Sequence, residues 1–283
     1  MEKDTRNIMI VIVAALVIIS GSIGSIILMS GFTSPQTIVE SQSMQHGIGS
    51  EIGIIDTGDM IIMKSIEKTE VITYVEGYDL GYSSFGMYGN VIIYDRGPNI
   101  NPIIHRAILW LDYNGDSTWS APSLENYPRD LWSCTNGTNI MNLSGTLTLN
   151  DMGHDGLMCT LNLDTLAQRA PVSGFITMGD NNRGFDQLTN ISIGLISEER
   201  ILSVAWLEIP WFGIIKMAMN GKMTIVDEQV PNSIPCMIMF FITIIFFIMG
   251  LFCLIDHIEN KNYRKELRNL KDAPTPLFPV EPK

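Results

Sequence analysis

Two stretches without a single charged side chain constrain this chain more than anything else in it. Residues 8–29 (IMIVIVAALVIISGSIGSIILM) and 234–255 (IPCMIMFFITIIFFIMGLFCLI) are almost wholly apolar. As helices rising about 1.5 Å per residue, both reach across the roughly 30 Å hydrocarbon core of a bilayer. A cleaved signal sequence is the alternative for the first run, but such apolar cores usually cover only about 7–15 residues. A buried core helix is the alternative for the second. That run is apolar on every side and stops at Asp256, which favours a span. The chain then divides into an N-terminus (1–7), a span (8–29), a middle segment (30–233), a second span (234–255) and a tail (256–283).

Basic residues set the expected orientation. Lys3 and Arg6 precede the first span, and Lys261, Arg264, Lys265, Arg268 and Lys271 follow the second. Between the spans the nearest bases are Lys64 and Lys222. By the positive-inside rule both termini are cytoplasmic and residues 30–233 lie outside. That segment carries 23 Asp and Glu against 10 Lys and Arg, which argues against nucleic acid as a partner. Cys236 and Cys253 fall inside the second span and read as packing residues. Cys134 and Cys159 fall outside it, where a bridge can persist, and the sequence leaves open whether they pair or stay free. Neither C-x-x-C nor H-E-x-x-H spacing occurs, so no metal or other cofactor is implied. The Pro-rich tail from Ala273 reads as disordered.

The middle segment reads as mainly β-structure. Short runs rich in Ile, Val and aromatics occur at 52–63 (two runs around an Asp-Thr-Gly-Asp turn), 90–94, 102–111, 174–178 and 203–209. They are bounded by Gly, Pro, Asn and Asp, the residues that end strands. No stretch shows sustained helical periodicity with caps. Many short strands joined by tight turns predict a closed or half-closed barrel between two transmembrane helices. Residues 112–170 are richer in Asn, Ser, Thr and Gly and read as an insertion or small subdomain. Within them Asp-Tyr-Asn-Gly-Asp (112–116) alternates oxygen side chains as a calcium loop does. Ser117 and Ser123 stand where such a loop needs Gly and Glu, so an Asx-type turn is the expectation. Asn136, Asn142 and Asn190 each begin a glycosylation sequon.

Few residues here carry chemistry. Ser41, Ser43 and Met44 lie in S-Q-S-M, close after the first span. A serine hydroxyl is a weak nucleophile and needs a base. His105 lies in the apolar strand PIIHRAI, as a core histidine or a positioned base. His46 is three residues from Ser43 and is harder to orient as its base. His154, in DMGHDG, reads as an exposed turn. Asp180 follows a strand in GFITMGDNNRGFD, with Asp186 after it. A Gly-Asp-Asn turn whose side chains bond their own backbone also describes that stretch.

Taken in order, these blocks resemble signal peptidase I in the branch found in archaea and the endoplasmic reticulum. SQSM (41–44) matches its nucleophile motif. GDMIIMK (58–64) and GNVIIYDRG (89–97) match the strand motifs that follow. IIHRA (103–107) falls where bacterial relatives carry Lys-Arg, and TMGDNNRGFD (177–186) matches the acidic motif. WLEIPWFGIIKM (206–217) is similar to the last strand before the second span. The resemblance covers 38–108 and 174–217. Two positions depart from it: His46 stands where a Pro is usual, and the loop from Arg106 to Met178 is much longer.

The resemblance implies a signal-peptidase-like β-barrel and a serine endopeptidase acting on signal-peptide-bearing preproteins. The lipid bilayer and the secretion translocon would be its neighbours. Its membrane would be an archaeal-type cell membrane or that of the endoplasmic reticulum. Ser43 would be the nucleophile and His105 the base. Asp180 would orient His105, with Asp186 sharing that role or bracing the loop. The Ser43 N–H and the Ser41 hydroxyl would form the oxyanion hole, and Met44 would line the substrate site. Without the resemblance, a membrane-anchored β-domain that only binds or scaffolds explains spans, strands and acidity equally well. A peptidase for other membrane-proximal precursors is a third reading.

Overall fold

The computed structural model describes residues 3–189 and 191–271. Its elements in chain order are α1 (Lys3–Ser30), β1 (Gln36–Ile38), β2 (Met60–Lys64), α2 (Tyr74–Leu80), β3 (Ser83–Ser84) and β4 (Met87–Tyr88). β5 (Val91–Tyr94), β6 (Ile103–Tyr113), β7 (Trp119–Ser120), β8 (Trp132–Cys134), β9 (Thr146–Met152) and β10 (Leu157–Asn162) follow. The remainder are α3 (Leu163–Arg169), β11 (Gly174–Met178), β12 (Ile201–Ile209), α4 (Gly213–Met219), α5 (Met223–Gln229) and α6 (Ser233–Lys271). The chain forms two compact units, Met1–Ile234 and Pro235–Lys283.

Two helices are long and apolar enough to cross a membrane, over Met9–Ser30 and Ser233–Lys265. They coincide with the two charge-free runs. α6 does not stop at Asp256: it continues as one helix to Lys271, so the charged start of the tail is helical. The Pro-rich stretch from Ala273 lies outside the described residues.

The principal sheet of the first unit is antiparallel, in the order β1-β2-β12-β5-β6-β11, with β7 added beside β6. Four of its strands fall on expected runs: 90–94, 102–111, 174–178 and 203–209. The first half of 52–63 is turn, and only its second half forms β2. The expected barrel does not close, because the path ends at β1 on one side and β11 on the other. Nor is the chain mainly β: helix makes up 37% of it against 24% strand. Much of that helix is α1 and α6, 28 and 39 residues long. The rest is short helix, seven residues at most in each element, that an apolar periodicity misses. α2 has a full capping box, in which Thr73 Oγ1 accepts from Glu76 N and the Glu76 carboxylate accepts from Thr73 N.

Within residues 112–170 a separate three-stranded sheet forms, in the order β10-β9-β8, followed by α3. It shares its core with the main sheet. Trp119, Trp132, Leu147, Leu149 and Leu161 pack in one buried cluster with Leu109, Leu111, Ile176 and Met178 of β6 and β11. The 112–116 stretch is an Asx turn: Asp116 Oδ1 accepts from Thr118 N at 3.0 Å. Cys134 and Cys159 are unbridged. Both pair across β9, opposite Leu147 and Leu149, so they stand two strand spacings apart, about 9–10 Å, beyond disulfide reach. Asn136 and Asn142 are exposed, and Asn190 lies outside the described residues.

Candidate functional site

Successive residues of a strand face opposite sides of its sheet, and β6 uses this to separate two polar side chains. His105 shares its face with Ile92 and Tyr94 of β5, while Arg106 shares the other with Val91 and Ile93. Both are buried, at 2% and 0% exposure, so each needs a partner from within the fold.

The loop after β11 supplies both partners, and it does so in crossed fashion. Asp186 accepts from His105 Nδ1 at 2.7 and 2.9 Å through its two oxygens. The Tyr94 hydroxyl and Thr177 Oγ1 each donate to Asp186 Oδ2 at 2.7 Å. Asp180 instead takes the Arg106 guanidinium in a bidentate pair, Nε to Oδ1 at 2.7 Å and Nη2 to Oδ2 at 2.6 Å. The other Arg106 nitrogen, Nη1, faces the carbonyls of Ser84, Met87, Tyr88 and Gly89 at 3.0–3.2 Å. The orienting role expected of Asp180 therefore belongs to Asp186. The physical reason is the strand alternation: the carboxylate on the Arg106 side of β6 cannot also serve His105.

Burial alone would raise the Asp186 carboxyl, but the His105 ring and the hydrogen bonds from Thr177 and Tyr94 hold it below its ordinary value. Burial is likewise outweighed at Asp180, where Arg106 and then His46 lower it. Burial and the adjacent Asp186 push the Tyr94 hydroxyl up, so it remains a donor. A carboxylate only accepts, so Nδ1 of His105 carries a proton, and in the neutral ring Nε2 is then the nitrogen with the lone pair.

His105 Nε2 and the Ser43 backbone carbonyl both lie beside Gly179. A Cβ added at Gly179 would lie 2.9 Å from His105 Nε2 and 2.5 Å from the Ser43 carbonyl oxygen. Gly179 thus packs between the His105 ring and the Ser43 backbone. The Ser43 hydroxyl is turned to Ser41, with the two Oγ atoms 3.3 Å apart. The Ser43 carbonyl accepts from Asn181 N at 2.9 Å, and the Gln42 carbonyl accepts from Asn181 Nδ2 at 2.9 Å. Among the described residues the Ser43 N–H has no acceptor, as an oxyanion donor requires.

Ser41, Ser43, Met44 and His105 open onto one cleft of about 910 Å³, walled by Ile38, Ile93 and Ile104. Met44 itself is buried and packs with Val39, Ile61 and Ile93, so it anchors the serine turn from below. His46 stands on Asp180, with Nε2 3.1 Å from Oδ2, and not beside His105. His154 also meets this loop. Lys64, at the end of β2, lies over the Trp206 ring. The sequence reading assigned no role to Tyr94, Thr177, Arg106, Gly179 or Asn181. Tyr94 was within reach of it: two residues after Ile92 on β5, it faces the same side as His105.

No protein-family model matches this sequence, and no match is found among curated proteins.

Proposed function

We propose that this chain is a membrane-anchored serine endopeptidase that removes signal peptides from secreted preproteins. The observation that carries this reading is that Ser43 and His105 line one cleft, with Asp186 buried behind it and bonded to the His105 ring. In this reading Ser43 Oγ attacks the scissile carbonyl carbon while His105 Nε2 takes its proton. Asp186 stabilises the imidazolium that forms. The Ser43 N–H and the Ser41 hydroxyl receive the oxyanion, each typically worth about 3 kcal/mol. Collapse breaks the C–N bond, and His105 returns the proton to the leaving amine. Water then attacks the acyl-enzyme, again through His105, and frees Ser43.

The two long apolar helices support a membrane setting. A signal peptide is an apolar segment ending in small residues, and Ser43 follows α1 closely in sequence. The reading places both termini in the cytoplasm and residues 30–233 outside, in an archaeal-type or endoplasmic reticulum membrane. The Ile-rich cleft wall suits small apolar side chains before the cleaved bond.

The test is cleavage of a model preprotein by membranes carrying the wild type or Ser43→Ala. Wild-type processing with none by the variant is the expected result. Undiminished processing by Ser43→Ala would remove the nucleophile. Cysteine labelling in intact membranes should reach a cysteine introduced near Ser120, at the exposed Glu125, from outside and one at Lys271 only from inside.

A further inference from the structure

The insertion reaches the site at one point, the turn between β9 and β10. There the His154 backbone N and its Nδ1 both lie 2.9 Å from the Asp180 carbonyl oxygen. Gly153 makes the approach possible: its φ is +68°, and a Cβ there would fall 2.8 Å from that same oxygen. The carbonyl accepts only, so the Nδ1 of His154 carries a proton and donates it.

The His154 ring does a second thing. It stacks on His46 with centroids 5.4 Å apart and planes 6° from parallel. His46 in turn donates through Nε2 to Asp180 Oδ2, whose other contact is Arg106. The next peptide, Asn181 N–H, holds the Ser43 carbonyl. One side chain from the insertion and one from the serine turn therefore grip Asp180 from both its carbonyl and its carboxylate. The residue after Asp180 grips the serine turn. The loop closes on itself: Ser43 to His46 along the chain, His46 to Asp180, and Asp180 through Asn181 back to Ser43.

From this we infer that His46 and His154 are positioning residues for Ser43, and that the insertion serves the active site by clamping the Asp180 loop through His154. The inference rests on Ser43 being the nucleophile. It gives a purpose to two otherwise unconnected features, the imidazole at position 46 and the module spanning 112–170. Neither ring touches the reacting atoms. Their effect is on where Ser43 sits relative to His105, and small misplacements of reacting groups cost about a hundredfold in the worst cases.

The experiment measures kcat and KM for preprotein cleavage by the full chain in membranes, for wild type, Ser43→Ala, His46→Ala, His154→Ala and the His46/His154 double variant. Each single histidine variant should lose roughly tenfold in kcat with KM little changed, as displacement of the nucleophile requires. Because the two act as one unit, the double variant should be no worse than the poorer single. His46→Gln, whose amide still donates to Asp180, should recover part of the loss. If an alanine variant fails to fold, the same cycle is built from His46→Phe and His154→Phe, which keep a ring for the stack and remove the donor to Asp180. A kcat within twofold of wild type for His154→Ala, or losses that simply multiply, would overturn the inference while leaving Ser43 in place. Wild-type membranes that cleave nothing would remove the peptidase reading and this inference with it.

Discussion

Asp186 Oδ2 lies 2.7 Å from His105 Nδ1, and both side chains are buried, whereas Asp180 is paired with Arg106 on the opposite side of β6. Two carboxylates six positions apart in one loop thus have unlike partners. One fixes the tautomer of an imidazole. The other neutralises a buried guanidinium and anchors the loop.

The two should separate by mutation. Asp186→Asn keeps the shape but offers an amide where His105 needs an acceptor, favouring the wrong tautomer. With His105 as the base, kcat should fall about a thousandfold to ten-thousandfold with KM little changed. Asp180→Ala leaves Arg106 buried without its anion, a loss typically of about 3–5 kcal/mol in stability. Thermal unfolding should register Asp180→Ala strongly and Asp186→Asn less. The reverse order would contradict the division of labour.

Gly179 gives an independent probe. Gly179→Ala adds one methyl group, which would meet Ser43 O at 2.5 Å, Asn182 Nδ2 at 2.8 Å and His105 Nε2 at 2.9 Å. Two of these contacts are with backbone or a held ring, so the loop must shift and the serine and imidazole must part. Cleavage should drop by roughly a hundredfold. An alanine variant with wild-type turnover would mean that Gly179 does not set their spacing.

How much of this was legible beforehand follows from which signals are local. The two long apolar helices were legible because a charge-free run needs no partner to be recognised. β5, β6, β11 and β12 were legible because β-branched runs bounded by turn residues are local too. The closed barrel was not, since closure depends on whether β1 and β11 meet, and no local run of sequence encodes that. α2 was overlooked although Thr73 and Glu76 spell a capping box, because its seven residues are too few to build a periodicity. At the site, Ser43 and His105 could be singled out by residue type and position. The choice between Asp180 and Asp186 could not, because it turns on the faces of β6 and on the path of a loop. The Cys134–Cys159 question was likewise decided by an intervening strand.

The expected pH dependence of stability comes from a different group of acids. Asp56 and Asp59, in the turn before β2, are buried, and Glu208 of β12 is half-buried. Burial pushes Asp56 to about 6, Glu208 to about 7 and Asp59 to about 8, with added repulsion from Glu51 at Asp56, from Asp56 at Glu208 and from Glu208 and Asp56 at Asp59. They tie the segment after the serine turn to the end of β12: Asp56 Oδ2 accepts from Glu51 N, Asp59 Oδ1 from Trp211 N and Glu208 Oε2 from Gly53 N. Asp56 Oδ1 and Glu208 Oε1 are buried without a partner. Acids raised in the folded state hold protons that the unfolded chain has released. Stability should therefore be greatest near the ordinary carboxylate range and decline as pH rises from about 5 toward 8. Asp180 and Asp186 have the opposite sign. Held below their ordinary values, they contribute stability above that range and lose it as pH falls further, so the optimum should be mildly acidic. Glu208→Gln removes the negative charge that Asp56 and Asp59 repel. It should raise stability above pH 7 by about 1–2 kcal/mol and flatten the decline. Thermal unfolding of both proteins between pH 4.5 and 9 tests this, and a wild-type melting temperature that stays level from pH 5 to 8 would show that these carboxyls are not proton-bound in the folded chain.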